Sequence, residues 1–434
     1  MKIFSKFNIF VLLLVSCGVF DSSNTTDTVL KVYACNQSSG YISVVDMISM
    51  EPIDTVYSNL SMNMIDDSDT NMCEQYSNVS SCSDNGCMWM GSYCMAYTTE
   101  DPHHIVIDEK NSLWFNTTIM SGFVGMYSLD SNDLIASVEI GDQPALMAIN
   151  PLNNKLYVSR MMPMIMDNGM SMGTDNSSIQ EISYSDNSIE TTNIFQIGSP
   201  SPHAIAVSSD GEFVYTVSNT ADWIYKIDTR DGSYESISME GVSSIPSIET
   251  NILKPIFCTL ADNKYLFVTC QAGQYTTGSA INYKDSRVQM WDVDRLELID
   301  EYTFTSNSSA WHIIADEDKA KLYLALSGEP GGSGIDAGVA SLLYSDEGLT
   351  LDWINNDYSF SLPHGIDYNS EGIVVSDRGT GKLYKISPNN GEVLAEVKVD
   401  SRFTTGIATM SYEVDRSTLS SSNDESNENH HHHH

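Results

Sequence analysis

The sequence predicts an all-β chain folded as a seven-bladed β-propeller, closed by pairing of its C-terminal strand with its N-terminal blade. Two observations carry this. Six segments share one register, each opening on a short apolar run and passing through turn residues into further β-rich runs. They begin at Pro102 (HHIVIDEKNSLWFNTT), Pro144 (ALMAINPLNNKLYVSR), Pro202 (HAIAVSSDGEFVYTVS), Pro255 (IFCTLADNKYLFVTC), Trp311 (HIIADEDKAKLYLAL) and Pro363 (HGIDYNSEGIVVSD). Steps of 42 residues (102 to 144), 53 (202 to 255) and 52 (311 to 363) match the length of a four-stranded blade. The second observation is at the termini. The first β-run, Val29 to Cys35, lacks an innermost strand, whereas Thr405 to Met410 reads as an innermost strand without a blade. Joining them closes the ring and removes two exposed sheet edges.

Taken from the N-terminus, Lys2 and Lys6 precede an apolar run from Ile9 to Val15. Leu14-Val15-Ser16-Cys17 then looks like a bacterial lipobox. On that reading 1–16 is a signal peptide, Cys17 carries a lipid and 17–28 is a polar tether; an ordinary secretory signal is the alternative. No later stretch is long and apolar enough to span a bilayer as a helix. The expectation is an exported protein, periplasmic or on the cell surface, attached to the membrane by its anchor. Residues 29–415 form the propeller. An insertion over 62–100 holds Cys73, Cys82, Cys87 and Cys94, which in an oxidising compartment would form two disulfides. Cys35, Cys258 and Cys270 fall near strand ends and read as small buried residues, with a soft-ligand role open for Cys258. Beyond residue 416 the Ser, Asn, Asp and Glu content predicts a disordered tail, and His430 to His434 end it as a tag remnant or a metal-scavenging tract.

The body of the protein contains five histidines, and all begin first strands: His103, His104, His203, His312 and His364. Around the ring, the matching positions read Thr405, His103, Ala145, His203, Ile256, His312 and His364, with His104 in addition. A single histidine at a strand end more often bonds a neighbouring backbone group. Five on one axis point to a metal centre, because imidazole is the commonest protein metal ligand. Asp101 is placed to accept the second ring proton of a ligand. Between two strands of the third blade, a loop over 160–175 supplies Met161, Met162, Met164, Met166, Met170 and Met172. Thioethers so spaced suit Cu(I), while adaptable packing is the alternative reading.

Charge excludes one class of partner. With 58 Asp and Glu against 21 Lys and Arg, the net charge of −37 repels phosphate backbones, so nucleic acid is not expected. No general-acid pair, phosphate loop or nucleophile elbow stands out.

Asp101-Pro102-His103-His104, followed by Pro-His-Ala, Trp-His-Ile and Pro-His-Gly in later blades, resembles the catalytic propeller of nitrous oxide reductase. The wider blade pattern is similar to lactonase-type and YVTN-repeat propellers. The first resemblance implies a multinuclear copper cofactor, sulfide-bridged in that family, held by His103, His104, His203, His312 and His364 as ligands and catalytic residues. It also implies reduction of nitrous oxide to dinitrogen, with electrons from a cytochrome c or a cupredoxin. Two departures stand out: the family uses seven histidines, and the cupredoxin domain with its paired-cysteine motif has no counterpart here. The competing expectations are a non-catalytic copper-binding or delivery protein, and a lactonase or lyase acting on a small molecule.

Overall fold

A computed structural model describes residues 28–58, 60, 81, 87–89, 94–96, 101–141, 143–150, 152–160, 178–198, 201–240, 252–277, 279–328 and 336–415. They form seven four-stranded antiparallel sheets arranged as the blades of a propeller. The innermost strands, in ring order, are Thr404–Thr409, Pro102–Asp108, Pro144–Asn150, Pro202–Val207, Pro255–Ala261, Ala310–Asp316 and Pro363–Asn369. Each lies against the next and the last returns to the first, so the ring is closed.

Closure occurs where the termini complement each other. Thr404–Thr409 pairs with Lys31–Asn36, placing Ala408 opposite Tyr33, and the outer strands of that first blade are Tyr41–Asp46 and Glu51–Tyr57. Val29 is not in this sheet; with Thr28 it pairs to Val414–Asp415 as a second clasp.

Burial follows position in the blade. Second strands such as Lys31–Asn36 and Leu113–Thr118 are buried throughout, because both of their faces meet neighbouring blades. Fourth strands such as Leu134–Glu139 are exposed along one side. The interblade cores are apolar clusters; in one, Trp114 stacks on Tyr127 at 4.0 Å and lies 5.0 Å from Tyr33. Cys35, Cys258 and Cys270 are buried free thiols. Cys258 packs with Ala204, Val217 and Leu266, which favours its packing role over a ligand role.

The two faces of the propeller are unequal. The strand ends that bracket 58–101, 161–177, 239–254, 271–286 and 327–337 all lie on the face where first strands begin. Turns of the opposite face run from two residues (370–371) to six (387–392). Part of the cysteine insertion is a hairpin, with Cys87–Trp89 paired to Cys94–Ala96. Cys73, Cys82, the methionines of the 161–172 segment, Cys17 with its leader, and the tail from 416 lie outside the described residues.

Candidate functional site

Every first strand starts with a β-bulge. In the second blade Pro102 pairs with Thr118 and His104 with Thr117, leaving His103 as an extra residue. The same shift follows Pro144, Pro202, Pro255, Ala310, Pro363 and, in the closing strand, Thr404. A bulge sets two residues opposite one and re-aims their side chains. Here it gives each blade two successive positions at the axis.

The pairing corrects the sequence register of one blade. Ala310, opposite Leu326, takes the place held by proline in five blades and by Thr404 in the closing strand. The first bulge position therefore reads Thr405, His103, Ala145, His203, Ile256, Trp311 and His364. His312 belongs to the second position, with Gly406, His104, Leu146, Ala204, Phe257 and Gly365. Lacking a proline, this blade offers no sequence marker for the offset.

Hydroxyl groups on the second strands brace the bulges. Thr117 Oγ1 donates to the Ala145 carbonyl in the next blade at 2.9 Å and accepts the His104 N–H at 3.1 Å. Ser159 Oγ donates to the His203 carbonyl, Thr269 to that of Trp311 and Ser376 to that of Thr405. Thr405 Oγ1 in turn donates to the His103 carbonyl. In the fourth blade the equivalent residue is Val217, and the His203 ring substitutes: its Nδ1 lies 2.7 Å from the Ile256 carbonyl. Sequence reading missed this girdle, whose only trace is a Ser or Thr one place before the end of four second strands.

All five histidines converge. Ring centroids are 6.4 Å apart for His103 and His203, 5.9 Å for His103 and His364, 4.8 Å for His312 and His364, and 6.4 Å for His104 and His312. Phe257 lies 4.2 Å from His312, and Trp311 lies 5.2 Å from His364. The five are between 2 % and 8 % exposed. Burial is the main reason their pKa values fall, to about 3 for His104, where the His203 imidazole adds to the fall, and to about 4 for His203, where the hydrogen bond to the Ile256 carbonyl opposes it. The rings of His103, His312 and His364 are likewise held well below the usual range. At neutral pH the site is a set of uncharged imidazoles.

Their hydrogen bonds separate their abilities. His104 Nδ1 accepts the Met147 N–H at 3.2 Å, so its proton resides on Nε2 and no lone pair is free there. A carbonyl can only accept, so His203 carries its proton on Nδ1 and keeps the Nε2 lone pair available. Both nitrogens of His103, Nε2 of His312 and Nδ1 of His364 are buried without a partner. Such orphaned nitrogens fit a borderline metal ion, which takes neutral imidazole lone pairs. Among the described residues, no three His, Cys, Asp or Glu side chains already stand as a ligand set. Coordination therefore calls for ring rotation, which His103, without ring hydrogen bonds, permits. Asp101 is buried at the rim, its carbonyl accepting the Ile119 N–H.

A separate cavity lies at the opposite end of the first strands. About 500 Å³ in volume, it is lined by Ile107, Asp108, Asn111, Asn150, Tyr184 and Thr409. Several of its polar groups are already partnered: Asp108 accepts from Asn111 and Tyr184, and Asn150 donates to Gly211.

No family model and no curated protein matches the sequence. Solved structures do match in shape. A putative 6-phosphogluconolactonase from Bacteroides fragilis NCTC 9343 is 12 % identical, with a TM-score of 0.56 over 89 % of this chain and 99 % of that one. A functionally unknown protein from Desulfotomaculum acetoxidans DSM 771 is 12 % identical at a TM-score of 0.58, covering 88 % and 99 %. A streptogramin B lyase is 13 % identical at 0.52, covering 71 % and 88 %. The chain is a seven-bladed β-propeller. At these identities the neighbours establish the fold alone, lactonase-like propellers among them.

Proposed function

We propose that the propeller is a copper-binding protein that holds Cu(I) on its axis through His103, His203, His312 and His364. One observation carries the reading: ring nitrogens of three of these residues are buried with no hydrogen-bond partner. A buried polar atom left unpaired costs about 1–3 kcal/mol, so a cluster of them in a well-packed ring asks for a ligand. Neutral imidazoles without a carboxylate in the ligand set suit a monovalent, borderline-soft ion. Copper bound there would supply electron transfer and a site for a small gaseous ligand. The chain's own part is to fix the tautomer of His203, exclude water and hold the rings together through the hydroxyl girdle.

The donor set favours binding or delivery over reduction of nitrous oxide. Four ligands remain once His104 is assigned to Met147, against the seven of the reductase family. The methionine segment over 160–175, Cys17 as anchor, Asp101 as outer partner and a cytochrome c or cupredoxin as electron donor belong to the same proposal. A second reading, a lactonase- or lyase-type propeller acting on a small molecule, is favoured by the names of the fold neighbours.

Copper analysis of the full chain decides between them. The wild type should retain copper after dialysis, and His103→Ala with His312→Ala should lower it at least tenfold with the far-ultraviolet spectrum unchanged. Full copper in the double variant, when His430 to His434 are also removed so that the tail cannot hold it, would overturn the axial site. Nitrous oxide consumption by the reduced, copper-loaded protein would restore the catalytic reading.

A further inference from the structure

We propose that the axial site also binds a small monovalent anion of halide size, against Trp311 and Arg378. The inference extends the site just described but rests on different atoms: a metal takes lone pairs and leaves N–H groups unsatisfied. A neutral imidazole has one of each. Both ring nitrogens of His103 are buried without a partner, so whichever carries the proton is an unpaired donor. Trp311 Nε1, which can only donate, is also buried without a partner, and its indole packs 5.2 Å from the His364 ring. His104 contributes a third N–H, because the Met147 amide fixes its proton on Nε2.

Charge near the rings has the matching sign. Arg378 follows Asp377, which pairs with Pro363 beside His364, and its backbone N–H is bonded to the Leu362 carbonyl. Its guanidinium acts on both His103 and His364, disfavouring further positive charge there. The protein's net charge of −37 opposes anion binding at long range. That field is screened within about 8–10 Å at ordinary ionic strength, whereas the unpaired N–H donors act at contact and Arg378, its guanidinium 5.0 Å from the Phe403 ring, adds positive charge nearby. Size follows from the rings, whose centroids lie at contact separations of 4.8 to 6.4 Å: only a small anion could enter among them, and a bulky oxyanion would not.

Chloride titrated calorimetrically into the metal-free full chain, in gluconate buffer of constant ionic strength, tests this. A saturable single-site heat is expected. Trp311→Phe, which keeps a ring against His364 and removes only the N–H, should weaken chloride at least tenfold, and Arg378→Gln should do the same or more. Absence of saturable chloride binding in the wild type, or unchanged affinity in Trp311→Phe, overturns the proposal. If Arg378→Gln does not fold, the Trp311 variant decides. Copper content of the same preparations keeps the two readings apart: copper without chloride binding removes this inference alone, and chloride without copper removes the copper reading alone.

Discussion

The two ends of the same inner strands differ in chemistry. Where they begin, bulged backbone carries neutral imidazoles with orphaned nitrogens, and long connections leave the face. Where they end, carboxylates are paired and the turns are short. Asp108 takes Asn111 and Tyr184, Asp316 takes Lys319 and Tyr323, and Asp367 takes both the N–H and the hydroxyl of Thr409. Satisfied polar groups at one end hold the turns; unsatisfied ones at the other define a place for something to bind.

Stability should divide along this line. Asp108→Ala removes the acceptor of the Asn111 side-chain amide and the Tyr184 hydroxyl, two contacts of 2.6 Å, and of the Asn111 backbone N–H; the Asn111 amide keeps only its bond to Asn154. The substitution should lower unfolding free energy by about 2–3 kcal/mol. His103→Leu breaks no ring hydrogen bond and should stay within about 1 kcal/mol of wild type in the same urea titration. Equal losses would erase the distinction between the two ends.

Gly406→Ala probes how tightly the bulges abut. A Cβ there would meet the His103 carbonyl oxygen at 2.4 Å and His104 Cα at 2.8 Å, and both are backbone atoms. Moving them costs about 1–3 kcal/mol and should displace the His103 ring. The melting temperature should fall, and copper affinity with it; a fall in stability that leaves copper affinity intact would separate the closing strand from the site.

The ends should also titrate in opposite directions. Burial raises the Asp367 carboxyl to about 6, against about 3.9 for an unfolded Asp. Between these values the folded state holds the extra proton, so this group's contribution is full below about pH 4 and is lost as pH rises through 6. His203, lowered to about 4 from an unfolded value near 6.5, does the reverse: the unfolded state takes the proton first, and stability is lost as pH falls below about 6.5. Urea midpoints between pH 4 and 6 should therefore rise more steeply with pH in Asp367→Asn. They should rise less steeply in His203→Leu, each change amounting to about one proton, or ~1.4 kcal/mol per pH unit. Parallel curves for both variants would refute the assignment.

Much of this was legible in residues. Pro-His at the start of apolar runs marked the inner strands, and the orphan strand at Thr405 marked the closure. The bulges were not legible, because an extra residue leaves an apolar run looking the same and shows only when cross-strand partners are counted. Hence Trp311 stood at a proline's place until its pairing was known, and Phe257 went unnoticed beside Ile256. The tautomer of His104 was hidden for a related reason: its partner is a backbone amide, and every residue but proline has one.

The innermost strand of the first blade is made last, some 370 residues after the strand it joins, from Lys31 to Thr404. Thr405 and Gly406 abut His103, so the histidine cluster reaches its final geometry only after Thr404–Thr409 has been made and has paired. An incomplete or proteolysed chain carries every histidine yet lacks the place that holds them together. Any copper held on the axis, as proposed, would depend on the pairing of Thr404–Thr409 with Lys31–Asn36 as well as on the imidazoles themselves.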